Sequence, residues 1–142
     1  MLFKDCLCFQ VGKISRKMAK LTRDAVAPYG LTTTQFFLLT ALYEEEDISI
    51  SALAQKVVLD KATLTGLIDR LERDGFVTRQ TSHEDRRTVR VCLTPKAEEL
   101  RETLTNLYHH INRRFLSLLT EEERETFEQV VSKIENADFV EG

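Results

Sequence analysis

At 142 residues, 42% hydrophobic and 30% charged with only five Gly and two Pro, the chain is one domain, or one domain with long helical arms. That composition excludes collagen-like and low-complexity chains and disfavours a loop-rich all-β fold. No run approaches the roughly 18–20 consecutive apolar residues that a membrane span needs. The formal net charge of −3 hides a division: residues 1–49 sum to 0, residues 50–94 to +2 and residues 95–142 to −5. A basic centre beside an acidic tail suits a local surface for polyanions; mixed charges that merely solvate helices are the alternative. Lys4, Asp5 and Lys13 bracket an apolar run too short for a signal peptide. Cys6, Cys8 and Cys92 are an odd count without framework spacing, which suits a reducing compartment. The expectation is a soluble, cytoplasmic protein with no membrane partner.

Phe3, Leu7, Val11, Ile14, Met18, Leu21 and Ala25 recur at three and four, which predicts one helix of about six turns. Its other face carries Lys13, Arg16, Lys17, Lys20 and Arg23, and Pro28-Tyr29-Gly30 ends it. Thr32 to Thr34 offer caps for a second helix burying Phe36, Phe37, Leu39 and Leu42. Glu44 to Asp47 read as a solvated turn. Ser49 caps a short helix to about Val57, and Asp60 caps another to about Asp74, stopped by Gly75. The period then changes. Residues 76–81 and 88–93 read as the two strands of a hairpin whose tip is Ser82 to Arg87. Thr94-Pro95 starts a helix with Ala97, Leu100, Leu104, Leu107, Ile111 and Leu118 along one stripe. Thr120 to Glu123 form a capping box for a last helix, with Phe127, Val130, Val131 and Ile134 on one face.

The long terminal helices carry more apolar surface than the compact middle module covers. A two-fold homodimer is the favoured burial, with an intramolecular bundle as the alternative.

Helix, short helix, turn, helix and hairpin together fit a helix-turn-helix followed by a hairpin; a solvated helix face and a plain surface hairpin are the alternatives. In that motif the first half of the second helix faces base edges in the major groove. Here it reads Lys61-Ala62-Thr63-Leu64-Thr65-Gly66: small residues allow close approach, and Thr offers a hydroxyl and a methyl to bases. Arg70 and Arg73 lie within reach of phosphates. On the hairpin tip, Arg86 and Arg87 suit a narrow minor groove, where negative potential is concentrated. Asp85 beside them fits if it pairs with an Arg and orients it.

These residues resemble the MarR family of winged helix-turn-helix repressors over essentially the whole chain. The resemblance rests on Leu53-Ala54, Thr63-Leu64-Thr65, Leu67 to Glu72, Gly75 to Arg79, and Asp85-Arg86-Arg87 leading to Val91-Cys92-Leu93-Thr94. It implies a mainly α fold with a small β-hairpin wing: a dimerisation helix over 1–31, the DNA-binding domain over 32–94 and C-terminal dimerisation helices over 95–142. By the resemblance, Arg87 enters the minor groove, Asp85 steadies it, and each protomer of a homodimer reads half of a pseudo-palindromic double-stranded DNA operator. The position after Thr65, often basic in the family, is Gly66 here. The implied DNA-contacting set is Ser49, Lys61, Thr63, Thr65, Gly66, Arg70, Arg73, Asp85, Arg86 and Arg87.

Cys8 resembles the reactive cysteine of the family's organic-hydroperoxide-sensing branch, with Thr22 and Thr33 where that branch has tyrosines. A sensor thiol needs thiolate character, which a helix N-terminus and neighbouring lysines such as Lys4 and Lys13 favour. Small buried apolar cysteines are the alternative. The commoner family signal is a small aromatic or phenolic anion, for which Arg16, Lys20 and Tyr29 are candidates. Cys6, Cys8, His109 and His110 lack structural-zinc spacing, so neither metal nor cofactor is expected. No catalytic triad order or phosphate-binding loop appears, so the reading is a regulator and not an enzyme. A protein-interaction module whose winged domain has lost DNA binding is the alternative.

Overall fold

The computed structural model describes residues 2–139. The chain folds as two units, Met1–Tyr108 and His109–Gly142. The first unit holds α1 (Leu7–Val26), α2 (Thr33–Glu44), β1 (Ile48–Ser49), α3 (Ile50–Val57), α4 (Lys61–Arg73), β2 (Val77–Thr81), β3 (Val89–Leu93) and α5 (Pro95–Glu99). The helix α6 (Arg101–Leu116) begins in the first unit and ends in the second, which also contains α7 (Glu121–Glu135).

Five start signals read from the sequence, Thr32, Ser49, Asp60, Thr94 and Thr120, are occupied caps. Thr32 accepts from the Gln35 N–H while Gln35 returns a bond to the Thr32 N–H. Ser49, Asp60 and Thr94 each accept from the backbone N–H three residues on, at Ala52, Thr63 and Ala97. Gly75 closes α4 in the left-handed conformation, φ 83°, where a side chain would be strained. The core lies where α2, α3, α4 and the sheet meet: Leu39, Leu42, Leu53, Leu64, Ile68, Leu71, Val77 and Val91 are all buried. Truncating any of these leucines to Ala costs about 2–5 kcal/mol.

Several sequence expectations are corrected. The first helix does not run from Phe3: Cys6 is extended at ψ 118°, so residues 3–5 form a separate turn and α1 begins at Leu7. Phe37 faces outward, 48% exposed, and Leu38 is buried instead. Residues 36–39 are all apolar, so periodicity alone could not choose between them. The sheet has three strands and not two, because Ile48 and Ser49 pair antiparallel with Val91 and Arg90 in the order β1-β3-β2. A two-residue strand leaves no alternating pattern to read. The helix after Pro95 breaks at Leu100, and Leu118 lies past the end of α6, exposed.

Glu44 to Asp47 are exposed but not merely solvated. Lys56 pairs with Glu44 at 3.0 Å and Glu45 at 3.7 Å, while Arg101 pairs with Glu46. Arg101 also donates to the Tyr43 carbonyl at 2.9 Å and to Glu98, and it stacks on the Tyr43 ring. Tyr43 in turn donates its hydroxyl proton to the Ala97 carbonyl at 2.6 Å. Two bonds thus fasten α2 to α5 and the start of α6.

Burial, with Glu98 adding to it, pushes the Tyr43 phenol from 10.0 to about 12. A raised pKa means the folded state holds the proton more tightly than the unfolded one. The stability it contributes is complete below pH 10.0 and is lost as pH rises through about 12. In a spectrophotometric alkaline titration, one of the three tyrosines ionises late, and Tyr43→Phe abolishes that late step. Persistence of the late step in Tyr43→Phe would assign it to another ring.

Candidate nucleic-acid interface

The turn between α3 and α4 is short and tightly bonded. Val58 is left-handed at φ 55°, with its side chain exposed, and the Leu59 N–H donates to the Ala54 carbonyl at 3.0 Å. Holding a β-branched residue there costs about 1–3 kcal/mol, which the surrounding bonds must offset. Asp60 then opens α4 with two bonds to Thr63, from its N–H at 2.8 Å and from its hydroxyl at 2.6 Å. Those bonds hold the Asp60 carboxyl below its ordinary range.

The buried face of α4 is Leu64, Ile68 and Leu71, which turns Lys61, Ala62, Thr63, Gly66 and Arg70 to solvent. Thr65 is half-buried and donates its hydroxyl proton to the Lys61 carbonyl at 2.8 Å. A Cβ added to Gly66 would meet nothing within 4 Å, so no packing demand requires glycine there.

The wing tip is built from its own short polar residues. Ser82 Oγ accepts from the Glu84 and Asp85 N–H groups, and Asp85 Oδ1 accepts from the Arg87 N–H at 2.9 Å. Asp85 Oδ2 accepts from the Thr88 hydroxyl at 3.3 Å. Asp85 therefore braces the backbone beneath Arg87 and not its guanidinium. Arg86 and Arg87 project exposed.

The cations of the central segment divide into spent and free. Lys56 and Arg90 are held by acids and carbonyls of the 44–47 segment. Arg79, on β2, donates to Glu72 at 2.9 Å, to Asp69, and to the Thr65 carbonyl at 3.3 Å. Its own N–H also reaches Glu72 at 3.1 Å. Arg73 shares its charge with Asp74 at 3.5 Å. Lys61, Arg70, Arg86 and Arg87 form no ion pair among the described residues. A helix face and a hairpin tip are thus both polar and both carry unspent positive charge, the property by which a surface attracts a polyanion.

Ser49 serves chiefly as the α3 cap, half-buried, and its hydroxyl donates to no acceptor among the described residues. Arg79 was missed by sequence reasoning, although Asp69 and Glu72 at helical spacing just before a strand Arg were a usable signal. The cysteines are all free thiols. Cys8 is exposed in the first turn of α1, whereas the Cys92 thiol donates to Asp47 at 3.4 Å and is pushed up by burial and that carboxylate. Arg16 and Lys20 stand one turn apart on α1, both exposed, and Tyr29 follows the helix end. Among the described residues, no three His, Cys, Asp or Glu side chains converge on a metal position.

This fold and surface define a winged helix-turn-helix protein. The MarR family profile matches residues 31–89. The transcriptional regulator SarZ of Staphylococcus saprophyticus is 32% identical over 129 residues, 89% of this chain and 88% of its own. The organic hydroperoxide resistance transcriptional regulator of Bacillus subtilis is 31% identical over 107 residues, 75% of this chain and 73% of its own. A crystal structure of a mutant MarR from E. coli complexed with operator DNA superposes with TM-score 0.81 and 26% identity, covering 90% of this chain and 92% of that one. The chain belongs to the MarR family; it is a DNA-binding transcriptional regulator and not an enzyme.

Arg79 is a fastening and Arg87 is not, so their removal separates. Arg79→Ala lowers the urea unfolding free energy by about 2 kcal/mol through lost charge-assisted bonds, and Arg87→Ala by less than about 0.5 kcal/mol. Equal losses would remove Arg79 from that structural role.

Proposed function

We propose that the protein is a homodimeric repressor that reads a pseudo-palindromic operator. The first half of α4 enters the major groove and Arg86 and Arg87 reach the minor groove. The observation that carries this reading is the pair of unspent arginines on a tip braced by Asp85. Positive charge held forward and left unpaired suits a polyanion. Lys61 and Arg70 take phosphates, with Arg73 and Ser49 beside them, while Thr63, Thr65 and Gly66 face base edges.

The dimer is supported by two amphipathic faces. On α1, Leu7, Val11, Ile14 and Met18 are exposed; on α7, Phe127, Val130, Val131 and Ile134 are exposed. Apolar stripes of this length are covered by a second copy in symmetric oligomers. Residues 1–31 and 95–142 then serve dimerisation and 32–94 serve DNA.

Release from the operator follows oxidation of Cys8 by a hydroperoxide or binding of a small aromatic or phenolic anion near Arg16, Lys20 and Tyr29. The exposure of Cys8 and the similarity to a regulator of organic hydroperoxide resistance favour the thiol. The acid-bonded thiol of Cys92 is the poorer nucleophile.

Fluorescence anisotropy against the intergenic DNA upstream of the protein's own gene, beside a scrambled duplex, tests operator binding. One dimer binds the native duplex in preference, and affinity falls steeply with salt. Arg87→Ala weakens that binding by about 1–3 kcal/mol without a change in melting temperature. Unchanged affinity takes Arg87 out of the interface. For release, Cys8→Ser binds the same duplex and stays bound after peroxide treatment; peroxide release of that variant eliminates the thiol route.

A further inference from the structure

The first half of α4 carries two hydroxyls, and both have already given away their protons. Thr63 donates to Asp60 Oδ2 at 2.6 Å, a charge-assisted bond to a carboxylate. Thr65 donates to the Lys61 carbonyl at 2.8 Å. A hydroxyl has one proton to give and two lone pairs to accept with. Each threonine therefore shows its surroundings acceptor lone pairs and a methyl group, and no donor. Of the two, Thr63 is the exposed one; Thr65 is half-buried, with its carbonyl taken by Arg79.

Resting on the reading that α4 enters the major groove, we infer that Thr63 reads a base as a hydrogen-bond acceptor, so that its partner is an exocyclic amino group, adenine N6 or cytosine N4. The other polar atoms on major-groove edges, N7, O6 and O4, are themselves acceptors. Phosphate oxygens are acceptors too. For Thr63 to bind any of these, its hydroxyl must turn away from Asp60 and give up the bond that supports the α4 cap. Phosphates fall instead to Lys61 and Arg70, which hold donors and no internal ion pair. Thr63 thus specifies sequence while the neighbouring cations supply affinity.

The test uses the full-length protein and a duplex it has selected from a randomised pool. Within one half-site, each adenine is replaced singly by purine and each cytosine by pyrimidin-2-one, which deletes the amino group. In parallel, 7-deazaadenine and 7-deazaguanine delete N7. Wild type, Thr63→Ser and Thr63→Val are titrated against every duplex, and comparison on one duplex cancels its altered base pairing. At one position, deletion of the amino group weakens wild type and Thr63→Ser about fivefold to tenfold, and Thr63→Val less than about twofold. Deletion of N7 affects all three proteins alike. Thr63→Ala, a better helix former, replaces Thr63→Val if the latter melts early. Coupling of Thr63 to N7, or to no amino group while the duplex preference persists, overturns this reading alone. Failure of the wild type to select any duplex overturns the operator reading beneath it as well.

Discussion

Arg79 leaves the first wing strand and lays its guanidinium across α4, where Asp69, Glu72 and the Thr65 carbonyl receive it together. Its backbone N–H adds a further bond to Glu72. A helix and a hairpin that belong to one surface need a fixed separation, and among the described residues every side-chain bond between α4 and β2 involves Arg79. The planar fork of Arg suits the task because it makes several directional bonds without reorganising. The remaining supports of α4 act on its ends. Asp60 holds the start, and at the other end Gln35, buried on α2, donates to Asp74 at 2.9 Å while Lys96 donates to the Asp74 carbonyl at 2.7 Å.

A chain of net negative charge still carries unspent cations on α4 and on the wing tip, Lys61, Arg70, Arg86 and Arg87. Residues 50–94 carry eight basic side chains, yet several are occupied as struts. Lys56, Arg79 and Arg90 pin helices and strands to one another, and only those turned away from acids remain for a partner. Electrostatic recognition depends on unspent charge at a point, not on the sum over a segment. The same separation governs polar groups. Asp85 spends its oxygens on the wing backbone, and Thr63 and Thr65 spend their protons on the helix start. What these groups can still offer a partner is set by what folding has already used.

The terminal helices pose the complementary problem. The last turns of α1 bury Thr22 and Val26, whereas its first half leaves its apolar residues open. Similarly, α7 has no buried residue. Neither helix gains enough from burial within this chain to account for its length, because isolated helices are marginal without a packed apolar face. Cys8 lies on the open half of α1, so a covalent change there would alter a surface that the chain itself leaves uncovered.

Much of this was legible from local pattern. The caps at Thr32, Ser49, Asp60, Thr94 and Thr120, the stop at Gly75 and the apolar faces of α3, α4 and α7 each depend on residues within a few positions of one another. Spacing alone therefore determined them, and with them the helix-turn-helix and the wing. The pairing of Ile48 with Val91, the outward turn of Phe37, the break at Leu100 and the grip of Arg79 on α4 depend on what the rest of the chain brings near. Tertiary structure decided those, and it also decided which arginines stay free and which hydroxyls keep a proton. A sequence records the donors, acceptors and charges that a chain carries; only the packed fold determines which of them have already been used on each other.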